Sequence, residues 1–255
     1  MRAVGTTQFE RGGVINRGDY PSANHSLTFP SPSNWACSLQ RMKQIAMLLY
    51  PGFTPLDAIG PYHALSQFPG YEFFFVALDA GPISDGSATT MQAQKSISEV
   101  SDVDILVVPG GLPAITMARA GDPLIDWIAR VHPTTEWTIS VCTGALMLGA
   151  AGVLKGVPAT THWYSHAELE NYGAIPTDQR VVESGKIMTA AGVSAGIDMS
   201  LVLAERIFGQ AFAEKMQLDM EYDPKPPFNA GHPRSAPAEV HAELRGLFDS
   251  VLKKD

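Results

Sequence analysis

Two side chains in this sequence have surroundings that read as chemistry: the thiol of Cys142 and the carboxyl group of Asp57. A thiol and a carboxyl group held together can supply a nucleophile and a proton donor. Cys142 sits in Thr138-Ile139-Ser140-Val141-Cys142-Thr143-Gly144-Ala145-Leu146, where a β-branched apolar run gives way to a small-residue run that favours helix. Ser140 and Gly144, two before and two after it, are both small. A sharp strand-to-helix turn that lifts a nucleophile clear of a sheet needs such flanks, because neighbouring chain packs against them. A thiol at a helix N-terminus also meets the positive end of the macrodipole, so the expectation is a lowered pKa and an exposed, reactive thiolate. The competing reading is a buried thiol packed as a small hydrophobe. The position at a strand's end favours the nucleophile.

Asp57 has two readings. Thr54-x-x-Asp57, with Pro55 between them, has the form of a capping box, and an acid in a first helical turn suits the dipole. The other reading is a carboxyl group beside sulfur in a partly desolvated pocket, kept protonated by burial and by a neighbouring thiolate. Gly110-Gly111 is either an ordinary strand-to-loop turn or a place where backbone N–H groups meet a reacting atom. Thr143 can orient substrate or water through its N–H and hydroxyl, or simply occupy a first helical turn. His162 and His166, four apart, would share one face of an α-helix, but two histidines without a third ligand make no metal site. Phe53, Trp163 and Tyr164 are candidates to line an apolar pocket or to fill the core.

These residues need elements to position them, and the pattern is β-α alternating from Gln44 onward. Ile45–Tyr50 reads as a buried parallel strand, followed by a Pro51-Gly52 turn and a helix capped at Thr54. Strands are expected at 73–78, 104–108 and 137–141, a hairpin or edge strand within 81–100, and two short strands around Gly185. Helices are expected at 122–131, 143–151, 163–172, 195–208, 211–221 and 237–253. Pro224–Asn229 reads as an ordered surface loop. The predicted fold is α/β: an open, mostly parallel sheet with helices on both faces and the nucleophile at a strand-to-helix turn. Ligands of such folds bind beyond the carboxyl ends of the strands, where Asp57, Gly110-Gly111 and Cys142 all fall.

The whole chain narrows the classes further. Its 255 residues can fill one core, and 45% hydrophobic with 17% charged residues is a globular composition. A net charge of −8 gives no electrostatic footprint for nucleic acid. No apolar run approaches the roughly 18 residues of a membrane span. The two cysteines, Cys37 and Cys142, make a disulfide framework implausible and point to a reducing compartment, the cytoplasm. Residues 1–41 lack periodicity and an apolar signal core. They are expected to be a disordered leader or an upstream start before a natural one near Met42, leaving 42–255 as one domain.

Several motifs together resemble the ThiJ/PfpI superfamily, relatives of class I glutamine amidotransferases. They are Tyr50-Pro51-Gly52-Phe53 with Leu56-Asp57, Val108-Pro109-Gly110-Gly111, Ser140–Ala145, Ala159-Thr160-Thr161-His162-Trp163 and Gly192–Asp198. The resemblance implies a flavodoxin-like fold and a homodimer. Thr143, where protease-like and glyoxalase-like branches carry His, and Asp57, where they carry Glu, make the chain most similar to the branch that hydrates isonitriles; so does Gln217–Pro224 leading to Pro227–Gly231. That branch implies Cys142 as nucleophile, Asp57 as acid then base, and Thr143 as a further catalytic group. Gly110, Gly111, His162 and Trp163 are then expected to bind substrate. The partners would be an isonitrile and water, with no metal, cofactor, nucleic acid or membrane. The Cys-Thr-Gly and Thr-His-Trp signature also occurs in the sensor domain of AraC-family regulators, which carry a C-terminal DNA-binding domain; with the sequence ending at Asp255, a DNA-binding role is not expected. A redox or small-ligand sensor using the cysteine is the alternative to an enzyme.

Overall fold

The run Ile45–Leu49 is apolar at every position and every one of these residues is fully buried, so both faces of the strand that carries it are covered. Only a sheet with helices on each side does this. The computed structural model describes residues 41–252. The expected leader, Cys37 included, lies outside the described residues except for Arg41, which pairs with Asp102 and Asp104.

The chain runs β1 (Lys43–Leu48), α1 (Pro55–Leu65), β2 (Tyr71–Ala77), β3 (Gly81–Ser84), β4 (Thr90–Ala93), β5 (Lys95–Ser96), β6 (Ile105–Val108), α2 (Leu112–Ala120), α3 (Pro123–Val131), β7 (Trp137–Val141) and α4 (Gly144–Ala150). It continues through β8 (Pro158–Ala159), a 3-10 helix (Trp163–Tyr172), β9 (Ile175–Pro176), β10 (Val181–Ser184), β11 (Ile187–Ala190), α5 (Ala195–Phe208), α6 (Gln210–Asp219) and α7 (Ala238–Leu252). Seven strands form the main sheet in the order β10-β11-β7-β6-β1-β2-β5. All its pairings are parallel except that of the edge strand β10 with β11. Helices α1, α5 and α6 pack together, as do α2, α3 and α4.

From β1 the chain steps to β2 on one side and later to β6 on the other. That reversal opens a crevice at the carboxyl ends of β1 and β6. The turn after β1 leads to Asp57, the turn after β6 carries Gly110-Gly111, and β7 runs directly into Cys142.

One local expectation is corrected, and two elements were not expected. Residues 163–172 form a 3-10 helix and not an α-helix, with i to i+3 bonds such as Ser165 N–H to the His162 carbonyl at 2.9 Å. Helix α2, unpredicted, begins with Leu112-Pro113, where proline needs no donor. The short β8–β9 pair was also unforeseen. The expected hairpin appears as β3–β4, and β5 forms the sheet edge.

Candidate active site

Cys142 has φ +57°, a left-handed conformation that a residue with a side chain adopts at a cost of about 1–2 kcal/mol. The turn is held from three directions. The Cys142 N–H lies 3.0 Å from the carbonyls of both Ala190 and Ala191, and its own carbonyl accepts from Thr161 Oγ1 at 2.7 Å. The small flanks have the purpose expected of them. A Cβ on Gly144 would overlap the Val108 carbonyl oxygen and stand 2.8 Å from that of Pro109. Gly144→Ala is therefore expected to lower stability by about 3 kcal/mol, read as a shift in the denaturant midpoint. Ser140 is fully buried.

Asp57 is no cap. Thr54 occupies the N-cap position but makes no side-chain cap bond; its N–H donates to Gly110 O at 2.8 Å. The Asp57 carboxyl group turns inward and is fully buried. Its Oδ2 accepts from Gly110 N–H at 3.0 Å, Oδ1 has no hydrogen-bond partner, and the carboxyl group interacts with the Cys142 thiol. A Cβ on Gly110 would meet Asp57 Oδ2 at 2.7 Å and the Cys142 Cβ at 2.8 Å, so glycine there lets acid and thiol converge. Burial raises the Asp57 pKa to about 7 against the lowering effect of the Gly110 and Cys142 bonds.

The expected exposed thiolate is not what the fold provides. Cys142 is only 5% exposed, and burial, with the nearby Asp57 carboxyl group, pushes its thiol pKa well up. Hydrogen bonds from the Thr143 and Val193 N–H groups act the other way but are outweighed. A dry site costs a charged sulfur more than one helix end returns. Above about pH 7 the pair holds one proton, between sulfur and carboxyl oxygen.

Gly110 and Gly111 act differently from expectation. Their N–H groups are spent on protein, Gly110 on Asp57 and Gly111 on Thr143 Oγ1 at 2.9 Å, so neither is left to donate to a substrate atom. Thr143 Oγ1 in turn donates to Gly111 O at 2.8 Å, which locks the first turn after the nucleophile to the turn after β6. Tyr50, fully buried, donates to Pro109 O at 2.8 Å and steadies the same turn.

Cys142 lies on the wall of a cavity of about 120 Å³ that opens to solvent. Thr143, Leu112, Ile115, His162, Ser165 and Phe248 are among its other walls. His162 Nδ1 accepts from Tyr164 N–H, which leaves the proton on Nε2, and burial lowers its pKa. Trp163 is not on this wall. It lines a neighbouring cleft of about 350 Å³ with His166 and Arg180, and stacks against His241 of α7. At three residues per turn, positions four apart diverge by about a third of a revolution, so His162 and His166 face different spaces. No group of three or more His, Cys, Asp or Glu suited to a metal occurs among the described residues. Phe53 belongs to the core and Tyr164 to the cavity. Val193, which follows β11 with a strained φ of +20°, lay in the Gly192–Asp198 motif with no role assigned to it, and nothing in the local sequence marked Phe248, which arrives from α7.

The chain is 38% identical over 210 residues to the isonitrile hydratase of Pseudomonas putida, covering 82% of this chain and 92% of that protein. It is 28% identical over 174 residues to the HTH-type transcriptional regulator CdhR of Pseudomonas aeruginosa, covering 65% of this chain and 51% of the regulator. The crystal structure of a ThiJ/PfpI family protein from Pseudomonas syringae superposes with a TM-score of 0.78 at 36% identity, over 90% of this chain and 96% of that one. Residues 43–206 match the DJ-1/PfpI family, and with the strand order and the cysteine turn already described, the chain belongs to that family.

Proposed function

We propose that this protein hydrates an isonitrile, R–N≡C, to the N-substituted formamide, R–NH–CHO, through a covalent bond to Cys142. The observation that carries the reading is the Cys142 thiol on the wall of a small cavity with the fully buried Asp57 carboxyl group converging on it at Gly110. Similarity to a protein named isonitrile hydratase, over nearly all of its length, supports the substrate class.

The chemistry uses the one proton that this pair holds. An isonitrile's terminal carbon bears a lone pair and takes a proton before it takes a nucleophile. With the proton on Asp57 and the charge on sulfur, Asp57 protonates the carbon and the thiolate adds to it. The product is the thioimidate R–N=CH–S–Cys142, with Asp57 now ionised. Asp57 accepts a proton from water as the oxygen attacks the same carbon, and passes it to nitrogen. The adduct R–NH–CH(OH)–S then loses its hydroxyl proton to Asp57 as the C–S bond breaks. Formamide leaves, and the pair regains its single proton. One carboxyl group serves as acid and then base.

The N–H groups of Thr143 and Val193, aimed at sulfur, favour the charged form that adds and departs. His162 Nε2–H is available to substrate or water. The reading needs no metal or organic cofactor and, on the resemblance, includes a homodimer in the cytoplasm. The sensor alternative needs an exposed thiolate, and the burial of Cys142 counts against it. Mixing the protein with an alkyl isonitrile and following the formyl proton by NMR tests the proposal. Catalytic growth of that signal is expected. No turnover, with stoichiometric oxidation at Cys142, would leave the sensor.

A further inference from the structure

Ser165 lines the cavity, and its side-chain oxygen is buried without a partner. The residue is 2% exposed, its backbone N–H is bound to the His162 carbonyl, and its buried Oγ makes no hydrogen bond. It lines the same small cavity as Cys142 and Thr143. A hydroxyl taken out of water without a partner is costly, which makes it a group waiting for a ligand atom.

The other polar groups around the cavity are committed or open to water. The Thr143 hydroxyl bonds Gly111 in both directions, and the Tyr164 phenol donates to Asp249 at 2.8 Å. Thr54 is only partly buried, so solvent can satisfy it. Leu112, Ile115, Val193 and Phe248 offer only carbon from their side chains. Apart from the His162 ring, Ser165 is the buried donor left for whatever is attached to sulfur.

The proposed reaction creates an acceptor for it. In R–N≡C the nitrogen electrons are held in the triple bond, and the free pair is on carbon. Once a proton and sulfur have added to carbon, the nitrogen of R–N=CH–S–Cys142 has a lone pair. As water attacks, the C=N electrons move onto that nitrogen. We propose that Ser165 Oγ–H donates a hydrogen bond to the thioimidate nitrogen and holds it as water adds. Ser165 keeps its own proton; the one that ends on nitrogen still comes from water through Asp57. The bond is absent in the isonitrile complex and grows along the reaction, so it raises the rate without tightening substrate binding.

This inference rests on the hydration reading, and the test separates the two. Ser165→Ala is expected to lower kcat and kcat/KM together by about tenfold, with KM within about twofold of the unaltered protein. Its melting temperature should be no lower, because the substitution removes an unpartnered buried hydroxyl. Unchanged kcat, a rise in KM alone, or a fall in melting temperature accompanying the lost activity would each overturn the role of Ser165. Unaltered protein that forms no formamide would overturn the hydration reading itself, and the role of Ser165 with it.

Discussion

Replacing Cys142 by alanine is expected to cut formamide production by at least about 10⁴-fold while the protein stays folded. The loss follows from the bond order of the proposed path. Without sulfur there is no thioimidate, and water would have to attack a protonated isonitrile directly. The fold should survive because alanine meets the same φ of +57° with the same Cβ that cysteine carries. The bonds holding the turn, to Ala190, Ala191 and Thr161, all use backbone atoms of residue 142. Intact-mass measurement of the unaltered protein during turnover should show isonitrile added to one site, and peptide mapping should place it on Cys142. Full turnover by the alanine variant, or an adduct on another residue, would remove covalent catalysis at this position.

Asp57→Asn is expected to lower kcat/KM by about 10²–10⁴-fold and to make the protein more stable at pH 8. The two effects come from one cause, a carboxyl group buried where its charge is unwelcome. Asparagine can still accept the Gly110 N–H, so the turn should persist, but it cannot take the thiol proton or return one to carbon. The stability effect has a definite sign. The folded protein keeps the Asp57 proton to about pH 7, whereas the ordinary value is 3.8. Between those values the folded state binds more protons than the unfolded one, so this group's contribution falls as pH rises. Across the whole interval the loss is on the order of 4 kcal/mol. Melting curves at pH 5 and pH 8 should therefore show a larger advantage of the asparagine variant at the higher pH. In the unaltered protein kcat/KM should rise through about pH 7, as the second proton leaves the pair. A variant with normal activity and lower stability would return Asp57 to a structural role.

What could be read from the chain was mainly what local pattern controls. The continuous apolar run at Ile45–Leu49 announced a strand covered on both faces, and the small residues around Cys142 announced its turn. The convergence of Asp57, Gly110 and Cys142 followed from strand alternation and from the resemblance. The electrostatics were not legible, because desolvation of Cys142 depends on what packs over it, and Val193 and Phe248 come from distant segments. The bonding of Gly110 and Gly111 was misjudged for a similar reason: their N–H groups are claimed by side chains 53 and 32 residues away. Ser165 escaped notice because nothing marks an unpaired serine until its surroundings are known. The 3-10 helix also separated two histidines that an α-helical spacing had aligned.

The reacting groups issue from β1, β6 and β7, which lie side by side in the interior of a seven-stranded sheet. Backbone amides in such strands exchange with deuterium only when the whole domain opens. The strands from which the chemistry issues are thus expected to be the last part of the molecule to melt. In a denaturant titration, inactivation and loss of circular dichroism should trace one and the same curve.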